Sequence, residues 1–203
     1  AGLLGTMPDC RQLENPITNL ATQIISSGNT ILGKFYFNDN RTPISYHEIP
    51  SSMINALIAT EDERFYSHSG IDFKGTARAL FYLGAKGGGS TITQQLARQL
   101  FTGVRSRNKL EAVVQKIKEW VIAIRLERRY TKNEIITMYL NIYDFNYNAD
   151  GIRSASSIYF SKTPEEMSLS ESAMLVGMLK NSSLYNPLRR PELVRERRNI
   201  VYQ

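Results

Sequence analysis

Met53, Ile54, Ala56, Leu57, Ile58 and Ala59 form an apolar run without glycine or proline, and it stops at two adjacent carboxylates, Glu61 and Asp62. Such a run predicts a mostly buried helix. A carboxylate at its end sits where burial readies it for base chemistry. Glu63-Arg64-Phe65-Tyr66-Ser67-His68-Ser69-Gly70 follows, with His68 and Gly70 turning the chain before the next helical segment. Taken alone, the stretch is better described as a solvated helix end with a satisfied histidine, so the rest of the chain has to decide.

Helical patterns dominate from Ser51 onward. With 203 residues and 42% hydrophobic content, the chain can bury a core as one domain, or as one domain with a small appendage. The formal charge of +6 and a pI near 9.4 suggest an anionic partner: nucleic acid, phospholipid headgroups or a phosphorylated substrate. Cys10 is the only cysteine, which excludes an intramolecular disulfide and leaves the redox compartment open. No apolar stretch reaches the length of a bilayer span. The start, Ala1-Gly2-Leu3-Leu4-Gly5, has no methionine and reads as cut from something longer.

In chain order, residues 10–19 read as an extended or short helical lead-in. Two β-prone runs, 21–25 and 30–36, flank Ser27-Gly28-Asn29 and predict a hairpin. Pro43 and Pro50 break the following loop. Asp72 is placed to cap a helix through Phe73, Ala77, Leu80 and Phe81; residues 84–89 read as a flexible glycine loop; Ser90 is placed to cap the next helix. On that helix Thr91, Gln94, Gln95 and Arg98 share a face. The strongest helix covers 110–128, with Leu110, Val113, Val114, Ile117, Val121 and Ile124 as its expected apolar stripe. Thr131-Lys132-Asn133-Glu134 is a capping box, and Thr163-Pro164-Glu165-Glu166 repeats its logic. A further apolar helix covers 168–179.

Three clusters carry chemistry. The first is Glu61-Asp62. The second is Gly87-Gly88-Gly89-Ser90-Thr91-Ile92-Thr93-Gln94-Gln95, whose amides, hydroxyls and helix dipole could receive an anion or sugar hydroxyls. It lacks the lysine of a nucleotide-binding phosphate loop. The third is Lys116-Ile117-Lys118-Glu119, which suits phosphate handling but also describes a solvated helix face.

Glu61-Asp62-x-x-Phe65-x-x-His68-x-Gly70, Gly89-Ser90-Thr91-Ile92-Thr93-Gln94-Gln95, Lys116-x-x-Glu119 and Lys132-x-x-Ile135-x-x-x-Tyr139-Leu140-Asn141 occur in the order that resembles glycosyltransferase family 51. That family is the peptidoglycan glycosyltransferase module of class A penicillin-binding proteins and of monofunctional glycosyltransferases. Gly151-Ile152-x-x-Ala155 followed by Tyr159-Phe160-Ser161-Lys162 is similar to its fifth motif. The resemblance covers roughly residues 20–187. It implies a mostly α, lysozyme-like helical domain with a small membrane-facing jaw lobe, and the hairpin makes a short N-terminal β appendage. The expected division is a lead-in and appendage at 1–50, a glycosyltransferase domain at 51–188 with a mobile jaw segment near 101–115, and a basic tail at 189–203 running toward a missing downstream domain.

The implied reaction joins lipid II units into glycan strands. A base deprotonates the incoming sugar hydroxyl, which attacks the anomeric carbon with inversion and expels undecaprenyl pyrophosphate. Carried over by motif, Glu61 is the base and Glu119 the second carboxylate, near the pyrophosphate. Arg98, Lys116 and Lys118, with Arg105 or Arg107, are candidate cations for the leaving group. Ser90, Thr91, Gln94 and Gln95 are expected to line the cleft, with Asp62 and His68 holding its geometry. No cofactor is expected and no metal-ligand spacing appears; a divalent cation requirement stays open. Expected partners are lipid II, the growing glycan chain, the membrane surface and phosphoglycolipid inhibitors such as moenomycin, with a transpeptidase domain fused downstream. The expected location is the outer, periplasmic face of the bacterial inner membrane, anchored by an N-terminal helix absent from this fragment. Gln115 stands where the family usually has arginine, and Arg98-Gln99 replaces lysine-asparagine. A lysozyme-like glycan-cleaving enzyme (a lytic transglycosylase) is the competing reading, although its sugar leaving group needs no cations. A nucleic-acid binder would explain the charge, but none is expected, since no binding motif occurs and aromatics do not interleave with the basic patches.

Overall fold

Helices carry the chain from Ser51 to Tyr202, as the sequence patterning requires. The computed structural model describes residues 7–8, 12–13, 22–28, 31–35, 41–81 and 89–202. The predicted glycine loop at 84–89, apart from Gly89, and most of the lead-in at 10–19 lie outside the described residues. The chain divides into two compact units: one takes Ala1–Pro16 and Glu61–Tyr139, the other Ile17–Thr60 and Leu140–Gln203.

Among the described residues the only sheet is a hairpin. Strands β1 (Thr22–Ile25) and β2 (Ile31–Phe35) pair antiparallel from Thr22 opposite Phe35 to Ile25 opposite Ile31, with a register shift after Ile24. It belongs to the second unit. That unit also holds most of α1 (Ser51–Glu61), α6 (Gly151–Phe160), α7 (Leu169–Leu179) and α8 (Pro191–Tyr202). Met53 and Leu57 of α1 are fully buried, as the apolar run predicts. Asn141 ties the backbone of Ile44 from both sides: its Oδ1 accepts from the Ile44 N–H at 3.0 Å and its Nδ2 donates to the Ile44 carbonyl at 2.9 Å. Thr163–Glu166 makes a boxed single turn, and the helix proper starts after Ser168, with Glu171 closing a second box. The basic segment that the sequence presents as a tail is helical from Pro191 and packs on α7, with Val194 buried and Gly177 admitting the Arg197 side chain.

The first unit is built on α2 (Phe73–Phe81), the short α3 (Ile92–Ala97), a π-turn at Arg98–Thr102, α4 (Lys109–Arg129) and the Lys132–Tyr139 part of α5 (Lys132–Ile142). Asp72 caps α2 through the Gly75 N–H, and the Thr131/Glu134 box opens α5. Two expectations need correction. Thr91, not Ser90, caps α3: its extended backbone lets Oγ1 accept from the Gln94 N–H at 3.1 Å. The buried stripe of α4 is Glu119, Ile122, Ala123 and Leu126, whereas Leu110, Val113 and Ile117 are 78%, 58% and 40% exposed. At 100° per residue those two sets lie on different sides of the helix. Counting apolar side chains gave the wrong phase because the innermost residue of the N-terminal half of the stripe is a carboxylate.

Candidate active site

Helix α3 is the scaffold. All six of its residues, Ile92 to Ala97, are buried, including Thr93, Gln94 and Gln95. Buried amides demand partners, and here they select which carboxylates come near. Gln95 Nε2 donates to Glu61 Oε2 at 3.1 Å, while its Oε1 accepts from the Tyr139 hydroxyl at 2.9 Å. The tyrosine therefore fixes which way the amide points. Gln94 Nε2 donates to the Gly70 carbonyl at 3.2 Å, and its Oε1 accepts from Lys116 Nζ at 2.8 Å. Lys116 also donates to Ser90 Oγ at 2.8 Å and to Glu119 Oε2 at 3.2 Å.

Glu119 is 1% exposed, and its Oε1 has no hydrogen-bond partner among the described residues. A buried acceptor without a donor is costly, so this oxygen is available to a donor brought by a ligand. Burial pushes the Lys116 ammonium below the usual lysine pKa; Glu119 opposes that shift, while the positive charges of Arg105 and Arg98 add to it. The charges of Arg98 and Arg105 therefore act on Lys116. Lys118 lies elsewhere on α4, lining a hollow of about 580 Å³ with Phe101, Val104 and Leu110. Arg107 is exposed and makes no ion pair or side-chain hydrogen bond among the described residues.

The Asp62 carboxylate is held by groups other than Gln95. It accepts from the Ile92 N–H at 3.0 Å and from His68 Nε2 at 3.0 and 3.1 Å. His68 Nδ1 in turn accepts from the Gly70 N–H at 3.2 Å, which fixes the ring as the Nε2–H tautomer. The first amide of α3, the position that the sequence offers to an anion, is therefore already held by a carboxylate of the protein. Thr91 is likewise committed: Oγ1 donates to the Gly70 carbonyl at 2.8 Å. Gly70 is the hub of this turn. It has φ of +93°, and a Cβ there would stand 2.8 Å from the Ala123 carbonyl carbon in α4. Lys132 closes the same turn by donating to the His68 carbonyl at 2.7 Å and to Glu127 at 2.8 Å, over the face of Phe65.

The structure thus gathers Ser90, Gln94, Lys116 and Glu119 into one hydrogen-bonded group, joins Glu61 to Gln95, and lets the charges of Arg98 and Arg105 act on Lys116. It leaves Lys118 and Arg107 apart and turns Asp62, His68 and Thr91 to internal supports. Sequence reasoning missed Gln115, whose amide binds the turn before α4. Only its departure from the family pattern marked the position. Among the described residues no cluster of His, Cys, Asp and Glu is arranged to hold a metal ion.

A buried carboxylate joined to a cation, with a second carboxylate held from the adjacent residue of the same helix, fits transfer of a sugar from an anionic leaving group. The comparisons agree. The model of the Transglycosylase family matches residues 28–203. The chain is 38% identical over 199 residues to penicillin-binding protein 1A of Escherichia coli, covering 96% of this chain and 23% of that protein. It is 39% identical over 189 residues to penicillin-binding protein 1F of Bacillus subtilis, covering 91% and 26%, and 40% identical over 162 residues to penicillin-binding protein 2a of Streptococcus pneumoniae, covering 80% and 22%. This chain is a member of the transglycosylase family, glycosyltransferase family 51. It spans about a quarter of the length of these relatives.

Proposed function

We propose that this chain polymerises lipid II into glycan strands, with inversion at the anomeric carbon and release of undecaprenyl pyrophosphate. The observation that carries the reading is the pair of neighbouring glutamines on α3, one bonded to Glu61 and the other to the Lys116–Glu119 pair. Glu61 acts as the base on the acceptor 4-hydroxyl, a step in which a positioned base contributes roughly 10²–10⁴-fold. Lys116, Arg98 and Arg105 receive the charge that builds on the pyrophosphate. Glu119 orients Lys116, and its free oxygen accepts a hydrogen bond from the donor substrate.

The exposed apolar side chains Val104, Leu110, Val113 and Ile117 meet the acyl region of the membrane that carries the lipid. Among the described residues no helix is long and apolar enough to cross a membrane. The full protein works at the outer face of the inner membrane, held by an N-terminal helix and joined to a transpeptidase domain, as the length of the relatives supports. Phosphoglycolipids such as moenomycin occupy the same cationic region.

Labelled lipid II in detergent tests the reading. Native protein yields glycan polymer, and Glu61→Gln yields none while keeping its circular dichroism. Normal polymerisation by the variant would remove Glu61 as the base. Release of soluble fragments from purified peptidoglycan, without polymer from lipid II, would favour cleavage instead.

A further inference from the structure

Gln115 immediately precedes Lys116 but turns away from the Lys116–Glu119 pair. Its Nε2 donates to the carbonyls of Thr102 at 3.0 Å, Val104 at 3.2 Å and Gly103 at 3.5 Å, and its Oε1 accepts from the Ser106 N–H at 3.1 Å. The Val104 carbonyl and the Ser106 amide belong to the two peptide groups that flank Arg105. One side chain therefore clamps the Arg105 backbone from both sides. A carboxamide suits this, because it presents two N–H donors and an acceptor oxygen at one tip; lysine and arginine only donate, and a carboxylate only accepts. The same turn is laced a second time: Ser106 Oγ donates to Glu111 at 2.6 Å and accepts from the Asn108 N–H at 3.1 Å. The charge of Arg105 reaches Lys116.

We propose that Gln115 is a positioning residue for diphosphate binding, holding the backbone of the turn so that the Arg105 guanidinium is presented to the diphosphate of the lipid-linked donor. A cation that the family pattern places at position 115 is thus supplied from position 105, and residue 115 becomes its mount. The inference rests on the glycosyltransferase reading above and deepens it.

Trp120 is the only tryptophan and adjoins Glu119 in sequence, so its fluorescence reports on the site. The test titrates native protein, Gln115→Met, Arg105→Met and the double variant with farnesyl diphosphate, and measures kcat and KM on lipid II in parallel. Methionine keeps the length and helix preference of glutamine. Each single variant is expected to weaken binding about tenfold and to raise KM more than it lowers kcat. The double variant is expected to bind no more weakly than Arg105→Met, because Gln115 acts only through Arg105. Binding by Gln115→Met within twofold of native, or losses that multiply in the double variant, would overturn the proposal. Should Gln115→Met fail to fold by circular dichroism, Gln115→Glu carries the same test, since it keeps the size but faces a carboxylate to three carbonyls. A native protein that neither binds the diphosphate nor polymerises would instead overturn the glycosyltransferase reading, and the proposal with it.

Discussion

Gly70→Ala should damage the molecule twice over. The residue sits at φ +93°, where an L side chain costs about 1–2 kcal/mol. Its new Cβ would also stand 2.8 Å and 2.9 Å from the carbonyl carbon and oxygen of Ala123, and 3.0 Å from the amide nitrogen of Ile124. All three are backbone atoms inside α4, so no rotamer change relieves the collision; forcing the turn and the helix apart costs a further 1–3 kcal/mol or so. The sum is about 2–5 kcal/mol, a large part of the stability of an ordinary domain. Gly103→Ala is the control. Its φ is +66°, yet nothing lies within 4 Å of the added Cβ, so it carries the conformational cost without the collision. Urea unfolding followed by far-ultraviolet circular dichroism measures both. The Gly70 carbonyl anchors Thr91 and Gln94, so polymerisation by the folded fraction should fall as well. A loss below about 1 kcal/mol at Gly70, or one equal to that at Gly103, would refute the close-approach argument.

Tyr139→Phe should lower kcat several-fold with little change in fold, because Gln95 Oε1 loses its donor and the amide no longer has one fixed orientation toward Glu61; an unchanged rate in the lipid II assay would contradict this. Asn141→Ala removes both bonds to the Ile44 backbone and should cost about 2–4 kcal/mol on urea unfolding. Acid should destabilise the protein in part through its helix caps. The backbone N–H of Thr131, then its hydroxyl, hold the Glu134 carboxyl below its ordinary value of 4.5, as Lys162 and then the Ser168 N–H do for Glu171. Such groups contribute stability that is complete above 4.5 and lost as pH falls through their lowered folded values. The melting temperature of Glu134→Gln should therefore change less than that of the native protein between pH 5 and 3.

Much of this was legible in the sequence, for identifiable reasons. Helix starts written in local chemistry were readable: Asp72, the Thr131/Glu134 box and the proline-led turn at 164 all act within three or four residues of themselves. The apolar run of α1 was readable because burial there follows hydrophobicity. The phase of α4 was not. Leu110, Val113 and Ile117 are exposed, and Glu119 is buried because Lys116, fixed from Ser90 and Gln94, makes the carboxylate's burial tolerable. That support reaches Lys116 from residues 22 and 26 positions away, and no local periodicity reports it. Ser90 failed as the cap for a related reason: its hydroxyl is taken by Lys116, which leaves the role to Thr91. The reading of Thr91 as a lining residue missed its commitment to Gly70, which depends on the turn that Gly70 makes.

Consecutive residues of a helix point about 100° apart, so Gln94 and Gln95 serve two different networks from one rigid segment. Gln95 reaches Glu61 and Tyr139; Gln94 reaches Gly70 and Lys116. Burial of the whole of α3 removes water as a competing partner, so each amide must keep the partners the protein supplies. The helix is also pinned at its start, where Asp62 takes the Ile92 amide and Asp62 follows Glu61 directly in the chain. Glu61 thus adjoins a residue that binds the first amide of the helix carrying its own hydrogen-bond donor. A shift of α3 would therefore move Asp62 and Gln95 together and carry Glu61 with them, while Gln94 would carry Lys116. Glu61 and Glu119 are held through covalent neighbours on one helix, Gln95 and Gln94, which suits the proposed reaction, whose base and leaving-group site must stay in register while sugar units pass between them.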